Sequence, residues 1–281
     1  MNTIIGLGSA GCGIAEKFAE YPQYKVLKID STRRPFDWLN NGFVLIDKCS
    51  TPEEYEESFP SLKEELAETG DEILFIVGGG GMISGATLKI LERIKEKKIN
   101  ILYIQPDVEL ISRQAKMQDR ATFAILQQYA RSSLFNRIFL VQNTAIESII
   151  GDLSISEYYD KINEYIASTI HMINVFERSE PEASSFERSG DTTRISTFGI
   201  VNFDTGEEKL FFPLQFPREK LYYYAINKSR LKREKGLRRK IMHQVKTRTT
   251  DDTIDVTYGI YSTKYDSDYV YITINASFIQ D

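Results

Sequence analysis

The first half of the chain alternates continuous apolar runs with segments of helical period. The runs TIIGL at 3–7, YKVLKI at 24–29, FVLI at 43–46, ILFIV at 73–77, NILYI at 100–104 and RIFLVQ at 137–142 predict strands. Between them the pattern predicts helices over 12–20, from Thr51 to about Glu68, from Gly85 to about Lys97, over 112–132 and, longest, over 155–176. Thr51 followed by Pro52 and acidic residues has the form of an N-cap with proline at the first helical position. Strands that are apolar throughout and separated by helices belong to a parallel sheet covered on both faces.

The second half changes character. Residues 177–193 are polar and rich in turn formers, which predicts a linker or exposed loop. After it, ISTFGIVNF, KLFFPLQF, KLYYYAIN, IDVTYGIYST and YVYITINASF alternate and carry aromatic and β-branched residues, the pattern of half-buried strands. One basic helix, about 229–246, interrupts them. The expected class is therefore α/β: a Rossmann-like parallel-sheet domain at 1–153, a long central helix at 154–177, and a smaller α+β domain at 178–281.

Composition narrows this picture. A length of 281 residues suits one large domain or a medium one with a small companion. The net charge of −5 argues against binding nucleic acid over the whole surface. Two cysteines and two histidines without clustered spacing argue against a zinc site. The chain opens on a strand rather than on the charged and apolar regions of a signal peptide, and no run approaches the ~18–20 apolar residues of a membrane span. The expected location is the cytoplasm, bacterial or host-cell.

Two glycine clusters carry the candidate chemistry. GLGSAG at 6–11 follows a strand and precedes a helix, the placement of a G-x-G-x-x-G phosphate loop, and Asp30 ends the second strand where a ribose-binding acid would sit. This alone is compatible with an NAD(P)-dependent oxidoreductase. A second cluster, VGGGGMISGATLKIL at 77–91, follows another core strand and opens another helix. Bare backbone N–H groups and a positive helix end suit an anion, and Ser84 adds a hydroxyl. Two such cradles at the C-terminal ends of parallel strands suit a triphosphate better than a pyrophosphate. The chain has no G-x-x-x-x-G-K-[ST], so it is not a P-loop protein.

These residues resemble the tubulin/FtsZ superfamily. GSAGCGI at 8–14 is similar to the tubulin form of the first phosphate loop, and GGGMISGA at 79–86 to the family's glycine-threonine-glycine loop, with Met82 and Ile83 where the family has threonine and glycine. The resemblance implies phosphate contacts from Gly8, Ser9, Ala10 and Gly11 on one side and from Gly79, Gly80, Gly81, Ser84 and Gly85 on the other, with Cys12 at the base-contacting place. Glu109 and Arg113, after Pro106, have the spacing of the family's ribose- and phosphate-contacting pair, one residue out of register. Asn143 follows its strand as a nucleotide-contacting asparagine does. On the long helix, Tyr159 corresponds to the aromatic that stacks on guanine, and Asn163 with Glu164 to the polar pair that reads its edge. The resemblance covers 1–176, and less closely 254–278, which is similar to the two closing strands of the second domain.

The implied function is guanine-nucleotide binding, GTP or GDP with Mg²⁺, and head-to-tail assembly into filaments with hydrolysis between subunits. GIVNFDTGEE at 199–208 resembles the family's hydrolytic loop, with Asn202, Asp204 and Glu207 as its catalytic residues. The same stretch also reads as a plain β-hairpin turn between two alternating strands. A protein that kept the fold and lost the chemistry is therefore a further alternative. The short chain suggests a divergent member, of the kind a phage or plasmid encodes. Residues 228–248 hold ten Lys or Arg, a solvated face or a docking surface for an acidic partner, with Gly236 placed to bend or break the helix.

Overall fold

The computed structural model describes residues 1–33, 42–186, 192–248 and 251–280. The chain divides into two compact units, 1–168 and 169–281, and the division falls inside its longest helix.

Unit 1 is built on six strands: β1 Thr3–Leu7, β2 Lys25–Asp30, β3 Phe43–Leu45, β4 Glu72–Gly78, β5 Lys98–Gln105 and β6 Arg137–Gln142. They lie in the order β3-β2-β1-β4-β5-β6, and every neighbouring pair is parallel. β1, β4 and β5 are buried almost throughout, which is why they read as uninterrupted apolar runs. The connections are α1 Gly8–Phe18, α2 Pro52–Ser58, α3 Lys63–Ala67, α4 Thr87–Arg93, α5 Arg113–Arg131, α6 Asn143–Ile150 and α7 Tyr158–Glu177, the last running on into unit 2.

Local chemistry sets where these helices start and stop. Thr51 caps α2 by accepting from the Glu54 N–H at 3.2 Å, with Pro52 in the first turn. The single helix expected up to Glu68 is instead two, because Leu62 adopts φ +43 and Pro60 precedes it. Ser112 caps α5 through Ala115 N–H at 3.2 Å. α1 starts at Gly8, four residues earlier than expected, so the first glycine cluster is the first turn of a helix. The helix after the second cluster is shorter than expected: a 3-10 turn at Met82–Ala86 leads into α4. Helix α6 was not expected from the pattern at all.

Unit 2 is a mixed sheet of β7 Ala183–Ser184, β8 Ile195–Val201, β9 Glu208–Leu210, β10 Pro217–Asn227, β11 Asp255–Thr263 and β12 Tyr269–Ala276. Its order is β9-β8-β12-β10-β11-β7, with only β10 and β11 parallel. Short strand β7 lies within the expected linker, and residues 187–191 of that linker lie outside the described residues. The basic helix is two helices, α8 Lys228–Arg233 and α9 Leu237–Arg248, parted at Gly236 with φ +99. Leu237, Ile241 and Val245, one face of α9, enter a core with Tyr222, Tyr224, Ile260 and Ile272. At about 1.5–3 kcal/mol per fully buried large aliphatic side chain, that stripe is what docks α9.

Candidate functional site

The strand order of unit 1 reverses direction at β1, with β2 on one side and β4 on the other. Ligands of open α/β sheets bind at the carboxyl ends of the strands at such a switch point. Both glycine clusters leave the sheet there, the first from β1 and the second from β4. They touch: a Cβ added to Gly8 would lie 2.6 Å from Ile83 Cγ2, and one added to Gly78 would lie 3.0 Å from Ala10 Cβ. Gly8 has φ +68 and Gly80 φ +78, conformations that favour glycine.

The N-terminus of α1 faces this junction. No side chain caps it and its first turn holds no acid. Its orphan N–H groups and helix dipole are thus left to an anion. Ser9 and Ala10 are exposed there, while Gly8 and Gly11 are buried. Gly11 serves packing: a Cβ on it would collide with the Ile76 carbonyl of β4, just as one on Gly6 would lie 2.5 Å from Gly11 O. Cys12 is fully buried, its Sγ donating weakly to the carbonyls of Gly6 at 3.4 Å and Ile29 at 3.5 Å.

The second cluster divides its labour in the same way. Gly81 is exposed and nothing lies within 4 Å of where its Cβ would be. Gly85 is pressed on Pro52, whose Cα would lie 2.8 Å from an added Cβ. Gly79 donates its N–H to Ile104 O at 2.9 Å and sits on a buried pair that the sequence reading missed, Tyr103 and Asp119. The Tyr103 hydroxyl donates to Asp119 Oδ1 at 2.6 Å. Burial raises the Asp119 carboxyl above its ordinary range, against the opposing effect of the Tyr103 hydrogen bond. Burial first, and then the Asp119 charge, push the Tyr103 hydroxyl far up. Ser84 is buried and uses its proton within the turn, donating to Gly81 O at 2.6 Å while accepting from Gln118 Nε2 at 3.1 Å.

The remaining candidates lie along the same edge. Glu109 and Arg113 are exposed on the β5–α5 connection and at the first residue of α5. Gly80 packs on the first turn of α5, its would-be Cβ lying 3.2 Å from Ala115 O. Asn143 begins α6, which also has no side-chain cap. Tyr159 is 67% exposed near the start of α7, with its ring edge-on to Tyr158 at 5.1 Å. Burial and the hydrogen bond to Glu147 push the Tyr158 hydroxyl up to about 12. Asn163 is half-buried one turn on, and Lys161 engages Glu164 at 3.0 Å. Lys17 of α1 pairs with Asp160 of α7 at 2.6 Å, which holds the start of α7 to the first glycine helix. Asp30 is buried and accepts from Ser9 Oγ at 3.2 Å and from Ser31 N at 2.7 Å, so the acid expected to meet a ribose is engaged inside the fold.

Asn202, Asp204 and Glu207 lie in unit 2, in the tight connection between β8 and β9. Asn202 Oδ1 accepts from the N–H groups of Asp204 at 2.9 Å and Thr205 at 3.0 Å, an Asx turn. Asp204 pairs with Lys240 at 2.7 Å, and that hydrogen bond and charge hold its carboxyl below the ordinary range. Glu207 is exposed. The turn is therefore a hairpin whose side chains have local structural work. The basic helix supplies it: Lys240 lies 4.4 Å over the Phe203 ring and Arg248 donates to Gly206 O at 3.0 Å. Arg230 is clasped by Asp268 and Glu234. Several of its cations thus have acidic partners within unit 2.

The site is thus the switch point of a parallel α/β sheet with two apposed glycine loops and no P-loop motif. No protein-family model matches the sequence, and no curated protein matches it. Solved structures do match. The empty FtsZ dimer of M. jannaschii aligns with TM-score 0.71 at 11% identity, over 98% of this chain and 87% of that one. The GTPγS-form protofilament of TubZ from Bacillus thuringiensis serovar israelensis aligns with TM-score 0.72 at 16% identity, over 100% and 87%. CetZ1 from Haloferax volcanii, a GDP-bound monomer, aligns with TM-score 0.69 at 18% identity, over 99% and 94%. The chain has the tubulin/FtsZ fold.

Proposed function

We propose that this chain binds a guanine nucleotide at the β1/β4 switch point and assembles head-to-tail into filaments. The observation that carries the reading is the contact between the two glycine clusters, which sets an uncapped helix N-terminus beside a second phosphate loop. Ser9, Ala10 and Gly81 are exposed there to meet phosphates. Tyr159 and Asn163, one helical turn apart, would hold the base between ring and amide. Arg113 would add charge from the start of α5. Among the described residues no group of three or more His, Cys, Asp or Glu is placed to hold a metal ion, so Mg²⁺ would be held mainly by the phosphates. The neighbouring structures support both parts: one CetZ1 is GDP-bound, and TubZ forms a protofilament with GTPγS.

Assembly has local support too. Met82, Val108, Leu110 and Met117 are exposed on the connections that surround the cradle. Exposed apolar side chains gathered on neighbouring segments suit an interaction surface. Among the described residues no helix is long and apolar enough to cross a membrane, so these side chains do not belong to a spanning helix.

The test is to denature the purified protein and identify what it releases, then to add Mg-GTP to fresh protein and follow light scattering with phosphate. Released GDP or GTP with GTP-dependent scattering is the expected result. Release of NAD(P), or no response to GTP in either signal, would overturn the reading. The hairpin at 202–207 favours a second version, in which nucleotide drives assembly and these residues do not turn it over; scattering without phosphate would be its signature.

A further inference from the structure

Two outer faces of the chain carry opposite charge at high density. Between 53 and 65 there are six glutamates against one lysine, and between 228 and 239 seven Lys or Arg against one glutamate. Burial sorts each run into an inner and an outer side. Pro52, Tyr55, Phe59, Leu62 and Leu66 are buried in unit 1, which leaves Glu53, Glu56, Glu57, Glu64 and Glu65 exposed. Leu231 and Leu237 pack into the core of unit 2, which leaves Lys228, Lys232, Arg233, Lys235, Arg238 and Arg239 exposed.

Neither set is neutralised where it stands. The seventh cation of the basic run, Arg230, is clasped by Asp268 and Glu234, and Lys240 just beyond it by Asp204. Among the described residues, none of these five glutamates and six exposed cations forms an ion pair. Like charges one turn apart weaken the helix that carries them, and Glu53–Glu57 on α2 and Lys228–Lys232 on α8 have that spacing. A surface of the opposite sign removes both costs at once.

The occupant that matches is a second copy, because each copy brings both faces. Three of the six exposed cations are arginines, which meet carboxylates with paired hydrogen bonds. Nucleic acid matches the basic face less well. No aromatic residue stands between 228 and 248 to stack on bases, and the net charge of −5 repels a polyanion. We propose that the acidic face of α2 and α3 on one copy docks on the basic face of α8 and α9 on the next. The two faces differ, so the contact is heterologous and leaves one unsatisfied face of each sign at the ends of an open chain of copies.

The places of the two faces agree with head-to-tail assembly. α2 packs on the second glycine cluster through Pro52 against Gly85, and α9 holds the 202–207 hairpin through Lys240 and Arg248. The contact therefore joins the hairpin side of one copy to the cradle side of the next. That polarity rests on the nucleotide reading; the pairing of the faces does not.

Exposed ion pairs are individually weak and are screened by salt, so the signature is collective. The experiment is sedimentation velocity of the nucleotide-free full chain over a concentration series. Salt is raised from about 0.01 M to about 0.1 M, which shortens the screening length from about 30 Å to about 10 Å, and the association constant should fall about tenfold or more. Glu53→Lys with Glu57→Lys, and separately Arg238→Glu with Arg239→Glu, should each lower it about tenfold or more at low salt. Melting temperatures should stay close to the parent's, because all four side chains are exposed. An equimolar mixture of the two variants should associate again, since the first keeps a basic face and the second an acidic one. A parent that does not associate, association indifferent to salt, or a mixture that stays monomeric while both variants melt like the parent would overturn the contact. Binding of a short DNA duplex, lost in the arginine variant and without self-association, would assign the basic face to nucleic acid and overturn it too. Guanine-nucleotide binding is measured on the same variants diluted to monomers. Retained binding with a failed mixture overturns the contact alone, and absent binding with a successful mixture overturns the nucleotide reading alone.

Discussion

The glycines of the second cluster separate stability from binding, and Gly79→Ala against Gly81→Ala is the sharpest comparison. A Cβ at position 79 would lie 3.0 Å from Asp119 Cγ and closer still to Asp119 Oδ1 and the Tyr103 hydroxyl. Neither partner has room to retreat, since Tyr103 is fully buried with its ring 5.2 Å from that of Phe123. Breaking the Tyr103–Asp119 hydrogen bond inside the core costs about 1–3 kcal/mol, and overpacking adds about 1–3 kcal/mol, for about 2–6 kcal/mol in all. Gly81 has φ −78 and ψ 137 with nothing within 4 Å of its Cβ position. Alanine there should stabilise by about 0.4–1 kcal/mol through the unfolded chain. Urea denaturation of both variants at one pH measures the difference, as a shift of midpoint at constant slope. Tyr103→Phe in the Gly79→Ala background should recover part of the loss, because one colliding atom is gone. The reasoning fails if the two alanine variants unfold within about 0.5 kcal/mol of each other, a spread usual for neutral surface substitutions.

Three further outcomes follow from the same geometry. Burial raises the Asp119 carboxyl above its ordinary 3.8, so the native state binds that proton more tightly and stability contributed by this group falls as pH rises from about that value. Asp119→Asn keeps an acceptor for Tyr103 without the charge, and its urea midpoint should vary less between pH 4 and 7 than the parent's; an equal slope would refute this. Tyr159→Ala, at an exposed position, should leave stability within about 0.5 kcal/mol yet weaken guanine-nucleotide binding by about 1–3 kcal/mol in a fluorescence titration, the usual range for base–aromatic stacking. Unchanged affinity would remove Tyr159 from the site. Asp204→Ala should leave both the urea midpoint and any phosphate release unchanged, whereas Asn202→Ala, which strips an acceptor from two backbone N–H groups, should cost about 1 kcal/mol; loss of phosphate release in Asp204→Ala would restore the hydrolytic reading.

What the sequence made legible was whatever the hydrophobic period controls. Strands β1, β4 and β5 are buried almost throughout, and apolar runs mark all six strands of unit 1 to within about two residues. Elements governed by single-residue geometry were not legible. The break after α2 depends on Leu62 at φ +43, and α6 is eight residues whose mixed composition carries no clear period. KLFFPLQF reads as a strand because Phe211 and Phe212 are buried, but the ladder of β9 ends at Leu210. The hairpin at 202–207 and the break at Gly236 were readable, because turn residues act locally.

Glycine was the hardest residue to interpret, since one letter stands for three physical roles. Gly8 and Gly80 adopt left-handed backbone, Gly11, Gly79 and Gly85 admit close packing, and Gly81 alone is open to a ligand. Sequence cannot single out the packed ones because the atom that decides each belongs to a distant residue. One such partner did leave a trace. Asp119 stands on the buried stripe of α5 with Phe123, Leu126 and Ala130, at the spacing of a helix face turned to the core. A carboxylate on that stripe requires a buried partner, and a tyrosine within the apolar run NILYI is the residue able to supply one. Read together, those two anomalies point to a polar contact directly beneath the second glycine cluster, and hence to a glycine kept at 79 by packing whatever the loop above it binds.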